Sequence, residues 1–181
     1  QHVARDGRVL EIASGTGEHG AFLTESLPGL EWTYSDIDQA GLDSQKAWRA
    51  ASGHDRLHGP LALDASLPDW GEAEAARPWD AVVSMNMVHI APFAVAEGLF
   101  SGAGRVLATG GKLFLYGPFA RKGVIAPSNA AFRESLQRRN PEWGVRDLDK
   151  ELLPLASLAG LELRHVTDMP ANNLAVVFER V

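Results

Sequence analysis

Val9-Leu-Glu-Ile-Ala-Ser-Gly-Thr-Gly17, continued by Glu18-His-Gly20, is an apolar run that stops at a serine and then opens into glycines. Residues 9–13 read as a short strand covered on both faces, because such strands lose the polar alternation of a half-exposed one. Residues 18–27 carry helical spacing until Pro28-Gly29 stops it. Gly15-Thr-Gly-Glu-His-Gly20 matches G-x-G-x-x-G between that strand and that helix, where glycine lets a ligand approach the backbone closely.

The same alternation continues outward from this unit. Residues 31–35 read as a second strand, 38–51 as a helix ended by Gly53, and 57–63 as a third strand that contains Pro60. Residues 68–78 form a polar excursion with a short helix, 79–85 are strand-like, 93–107 are helical up to Gly110-Gly111, and 112–116 make a fifth strand. Strands and helices in turn imply a parallel sheet with helices on both faces and right-handed crossovers. The end of the chain breaks the rhythm. Helical stretches at 129–138 and 148–159 lead to two strand-like runs, 161–167 and 173–180, whose short connection permits only antiparallel pairing. The expected fold is α/β and Rossmann-like: a doubly wound, mostly parallel seven-stranded sheet with a C-terminal antiparallel hairpin.

With 181 residues and 45% hydrophobic composition, the chain suits one domain over residues 1–181. A formal charge of -6 gives a field that repels phosphate backbones, so a small-molecule or protein substrate is expected and nucleic acid is not. The absence of cysteine excludes a disulfide framework and a thiol nucleophile. His54 and His58 are flanked by Gly53 and Gly59, so no metal site is expected. No run approaches the roughly 18 apolar residues of a membrane span, and residues 1–7 lack the apolar run of a leader. A soluble, cytoplasmic protein is the expectation. The strand pattern begins almost at once after Gln1, so a segment ahead of it is expected to complete the pocket.

Asp36 stands about twenty residues past the loop, where an acidic side chain accepts both hydroxyls of an adenosine ribose. NAD and S-adenosylmethionine both carry that ribose, and the loop alone suits either. Three features separate them. Glu11 is a charge inside a buried strand and needs a partner; an ammonium group would be one, and NAD carries none there. Asp64-Ala65, after the third strand, suits an adenine amino group, and Ser84-Met-Asn86 ends the fourth strand on the same edge. The terminal hairpin is foreign to the ordinary dinucleotide fold.

On these residues the chain resembles class I S-adenosylmethionine-dependent methyltransferases over nearly its whole length. Residues 9–17 look like their first motif, with Ala13 where glycine is commoner; Tyr34-Ser-Asp-Ile-Asp38 looks like the ribose motif and Leu63-Asp-Ala65 like the adenine motif. Ser84-Met-Asn-Met-Val-His89 looks like the motif after the fourth strand. Gly117-Pro-Phe119, Asn140-Pro-Glu-Trp-Gly-Val-Arg-Asp147 and Asp168-Met-Pro-Ala-Asn-Asn173 are similar to segments of the methyltransferase-like protein 26 family. The resemblance implies S-adenosylmethionine as cofactor and methyl transfer to an acceptor it does not identify. Glu11 would hold the methionine ammonium, and the backbone of Ala13, Ser14, Gly15 and Gly17 would pass the methionine portion. Asp36 would bind ribose, and Ile37 with Asp64 and Ala65 would frame adenine. Asn86, bordering the cofactor, joins His89 and Tyr116 as catalytic candidates, and Trp143 and Arg146 suit a lid.

Each of these residues also has a purely structural explanation. Glu11 would be ion-paired inside the fold, Asp36 and Asp38 would cap a helix, Asp64 would shape a turn, His89 would be a hydrogen-bonded structural group, and Tyr116 would cap the core. Two rival functions stand beside methyl transfer. A nicotinamide-dependent reductase calls for a Tyr-x-x-x-Lys proton donor that the sequence lacks, and a cofactor-binding module without catalysis needs no base at all.

Overall fold

The computed structural model describes residues 6–76 and 78–181, and the sequence reading of residues 1–5 lies outside them. In chain order the elements are β1 (Asp6–Glu11), α1 (Glu18–Ser26), β2 (Gly29–Asp36), α2 (Gln39–Ala51), β3 (Leu57–Ala62), α3 (Glu72–Ala75) and β4 (Trp79–Met85). Then come α4 (Phe93–Val106), β5 (Leu107–Ala120), α5 (Pro127–Arg139), β6 (Arg146–Asp147), α6 (Leu153–Leu158), β7 (Leu161–Met169) and β8 (Asn173–Arg180).

The sheet runs β3-β2-β1-β4-β5-β8-β7, with β6 added beside the end of β5. Pairings from β3 through β5 are parallel, and β8 is antiparallel to both β5 and β7. The doubly wound sheet closed by an antiparallel hairpin is therefore present. Pro60 is tolerated because β3 is the edge strand, where a missing N–H breaks no ladder on the open side.

Alternation along β1 separates the two cores. Leu10 and Ile12 face α4, whose Ala96, Leu99, Phe100 and Ala103 pack there with Leu113, Leu115 and Phe178. Val9 faces the other way, toward Trp32, Tyr34, Leu57 and Val83, and α1 covers these with Ala21, Leu23 and Leu27. Among the described residues no helix is long and apolar enough to cross a membrane.

Two expected elements differ. The stretch read as one helix over 148–159 is a π-helical turn, Leu148–Leu152, followed by α6. Pro154 has no N–H to donate to the carbonyl of Lys150, so the regular ladder cannot run through it. Leu153 instead donates to Leu148, five residues back. The two-residue strand β6 was not expected at all; it pairs Arg146 and Asp147 with Phe119 and Ala120, and two residues carry no periodicity.

Gly98 shows how tightly α4 is seated. A Cβ there would lie 1.9 Å from the carbonyl oxygen of Ala65, so backbone and not a pliable side chain would have to move. Gly98→Ala should cost about 1–3 kcal/mol, the usual range for overpacking, and lower the melting temperature by roughly 2–4 °C for each of those kcal/mol. A melt indistinguishable from wild type would show that α4 is free to shift.

Candidate cofactor and acceptor site

The loop after β1 is fastened to the end of β2. Ser14 donates its N–H to Ser35 (2.9 Å), Ser35 donates its own to Ser14 Oγ (3.1 Å), and Ser35 Oγ donates to the Glu11 carbonyl (2.7 Å). Ala13, Gly15 and Gly17 all take positive φ, 59°, 56° and 86°, so the chain turns sharply out of the strand. Asp36 is buried and accepts three backbone N–H groups, from Gly15 and Ile37 at 2.8 Å and from Asp38 at 3.0 Å. Asp38 caps α2 through Gly41 N–H at 3.0 Å, so the two carboxylates have separate work, as the sequence suggested. Asp36 thus organises the loop.

Glu11 corrects one step of the sequence argument. It is only 1% exposed, yet it does not wait for a ligand: Trp32 Nε1 donates to one oxygen at 3.0 Å, and His19 Nδ1 lies 3.3 Å from the other. The hydrogen bond to Glu11 raises the pKa of His19 above its ordinary value, against the opposing effect of burial. The buried charge is balanced inside the protein. Tyr34, one pleat along β2 from Trp32, donates its hydroxyl to the Gly17 carbonyl at 2.7 Å, and burial raises its pKa, so it stays a donor.

Three loops along the same edge each expose one large aliphatic side chain. Ile37 follows β2 at 72% exposure, Leu67 follows β3 at 53%, and Ile90 follows β4 at 43%. Asp64 sits between the first two, where one of its oxygens accepts from Ser66 N–H (2.9 Å) and Ser66 Oγ (2.7 Å). The turn role expected as the alternative for Asp64 is therefore real. Ala65 is buried beside it under α4. A cavity of about 770 Å³ beside β3 reaches Asp64 and Leu67 and is lined further by Arg49 and Trp70. None of its lining residues comes from the carboxyl end of β4.

At that end Asn86, with φ 57°, and His89 line a cavity of about 430 Å³ together with Pro118, Ser128, Asn129, Phe132, Ala171 and Asn173. Phe132 meets the imidazole edge-on, with ring centroids 5.5 Å apart. Burial, with the Arg146 charge as a lesser cause, lowers the His89 pKa to about 4. Tyr116 does not line this cavity; it is half-buried on the face of β5 shared with Phe114. Arg146 is no lid. Its guanidinium donates to the carbonyls of Ala91 (2.8 Å), Glu142 (2.7 Å) and Val88 (3.4 Å), which staples the 140–147 loop to the chain after β4. Trp143 lies under Arg139, 5.2 Å from the guanidinium carbon to the ring centroid. Ser128, Asn129 and Phe132 were not anticipated, because they reach the cavity from α5, and the packing of a distant helix leaves no local signal.

The fold is one that solved methyltransferases share. The chain belongs to the family described as "Protein of unknown function (DUF938)", which it matches over residues 1–180. Similar solved structures include an O-methyltransferase family 2 protein from Planctomyces limnophilus in complex with apigenin, at TM-score 0.78 and 19% identity over 97% of this chain and 51% of that one. The S-adenosylmethionine-dependent methyltransferase SibL aligns at TM-score 0.77 and 18% identity over 97% and 51%. CalO1, a methyltransferase in calicheamicin biosynthesis in its SAH-bound form, aligns at 0.77 and 17% over 98% and 50%. This chain spans about half the length of these proteins.

A histidine whose native pKa lies at about 4, below its ordinary 6.5, resists protonation that the unfolded chain accepts. Its contribution to stability is therefore complete above about pH 6.5 and is lost as the pH falls toward 4. Ring-proton NMR should show His89 titrating near 4, and His89→Gln should lose less stability than wild type across that window. A midpoint near 6.5 would mean that the ring is open to water.

Proposed function

We propose that this protein transfers the methyl group of S-adenosylmethionine to an uncharged acceptor, a small molecule or a side chain of another protein. The observation that carries this reading is the meeting of two kinds of surface on one edge of the sheet. On one side lie the Gly-rich loop, Asp36 and the exposed aliphatic groups after β2 and β3. On the other lies a cavity with Asn86 and His89, whose side chains have no hydrogen-bond partner among the described residues. Polar groups left open on a cavity wall are what a ligand satisfies.

The residues fit the cofactor. Three of the roughly four lone-pair directions of the Asp36 carboxylate hold backbone amides, which leaves one for a ribose hydroxyl. Ile37 offers an apolar face to an adenine ring, and the free oxygen of Asp64 offers an acceptor. Glu11 would take the methionine ammonium only where His19 yields its place. When bound, S-adenosylmethionine supplies a methyl group already activated by its sulfonium. What the protein must add is alignment and dryness. Asn86 and His89 orient the acceptor, with neutral imidazole accepting its proton-bearing group; burial and Arg146 disfavour an imidazolium, so His89 is a hydrogen-bond partner more than a strong base. Tyr116, off the cavity, remains a candidate only for the cofactor side of the crevice.

Support also comes from the fold shared with solved methyltransferases and from the resemblance to methyltransferase-like protein 26. One observation favours a second reading, cofactor binding without catalysis: among the residues lining the cavity, no carboxylate stands beside His89 to stabilise a transferred proton.

S-adenosylhomocysteine should raise the melting temperature and NAD should not. A hundredfold excess over Kd stabilises by about 2.7 kcal/mol, a shift of several degrees. Stabilisation by NAD alone would overturn the assignment. Asp36→Ala should weaken S-adenosylhomocysteine by about 1.5–3 kcal/mol and also lower the melting temperature, because three amides lose their acceptor; calorimetry showing unchanged affinity would remove Asp36 from the site.

A further inference from the structure

Three consecutive carbonyls of the loop, those of Gly15, Thr16 and Gly17, are each held by a side-chain donor from β2 or α2. Gln45 Nε2 donates to Gly15 at 2.8 Å, Ser44 Oγ to Thr16 at 2.8 Å and the Tyr34 hydroxyl to Gly17 at 2.7 Å. In a trans peptide the carbonyl and the N–H that follows it point in opposite directions. Drawing these carbonyls toward β2 and α2 therefore turns the N–H groups of Thr16 and Glu18 the other way, and neither has an acceptor among the described residues. The N–H of Gly15 is fixed as well, on Asp36.

Gln45 is the informative member. It is fully buried, and its Oε1 has no partner. A buried unsatisfied amide oxygen burdens the fold, whereas an apolar side chain of similar volume would fill the place without one. The one hydrogen bond of Gln45, to Gly15, is thus set against an unpaired oxygen in the same amide. We infer that Tyr34, Ser44 and Gln45 are positioning residues that set the loop peptides for the amino-acid half of the cofactor, and that Gln45 serves ligand binding against the stability of the fold.

This inference rests on the methyltransferase reading, in which the loop meets the methionine portion. Its test is calorimetry of wild type, Gln45→Met and Ser44→Ala with S-adenosylhomocysteine and with adenosine, beside ligand-free melts of the same proteins. Gln45→Met should melt at or above the wild-type temperature yet bind S-adenosylhomocysteine roughly three- to tenfold more weakly, the worth of one hydrogen bond. Adenosine, which lacks the amino-acid half, should bind both alike. Ser44→Ala, at a half-buried position, should show the same selectivity to a smaller degree. A Gln45→Met protein that melts lower and loses both ligands equally would make Gln45 an ordinary structural residue, and unchanged S-adenosylhomocysteine binding in that variant would remove the inference alone. Wild type that binds neither ligand would remove the functional reading and this inference with it.

Discussion

The Gly-rich loop and the entry to α2 are both referred to the carboxylate of Asp36. It is buried and takes N–H groups from the loop after β1 and from the two residues that lead into α2. Backbone donors in such a place are costly to leave unpaired, so the carboxylate decides where the Gly-rich loop sits relative to the end of β2. The neighbouring Asp38 can then cap α2, which in turn brings Ser44 and Gln45 under the loop. A ligand bound at this edge meets backbone that has been placed by one side chain and held by three others.

What could be read from the sequence was what is local. The apolar run before Gly15, the glycines themselves and the acidic residue that ends the second strand lie within a few residues of their effects, and the alternation of strands and helices follows from periodicity. The short connection between the last two strands dictated their antiparallel pairing. The partner of Glu11 could not be read in this way. The rule that a buried charge needs a partner was sound, but the partner depends on register: pairing Val9 with Trp32 lets the indole of β2 reach the β1 carboxylate, and the first turn of α1 brings His19 over the same group. Gln45 and Asn129 were equally hidden. Each lies on a helix whose pattern says which face is buried but not which atom it will meet.

The two ends of this sheet edge differ in their side-chain chemistry. Near the Gly-rich loop, carboxylates at Glu11, Asp36 and Asp64 each accept from N–H or O–H donors. The cavity beyond β4 is built from amide, hydroxyl and aromatic side chains around a histidine kept neutral by burial. Moving a charged group out of water and into such walls would be unfavourable without an opposite charge to meet it, which is why the acceptor we propose is an uncharged one.

The topology explains why the chain parts at the ends of β1 and β4. β1 and β4 are neighbours in the sheet, yet the chain leaves β1 for α1 on one face and β4 for α4 on the other. Connections that diverge in this way leave a gap above the strand ends, the switch point at which open α/β sheets bind ligands. To diverge, the chain must turn hard at both strand ends, and it does so at Ala13 and Asn86, both with positive φ. For a residue with a side chain this conformation is unfavourable, by about 1–3 kcal/mol, and it persists where the surroundings over-determine it. At Asn86 the turn directs a polar side chain to the cavity wall; at Ala13 it starts the loop that Asp36 and Gln45 then fix. The strain at Ala13 and at Asn86 thus has one origin, the divergence of two adjacent parallel strands.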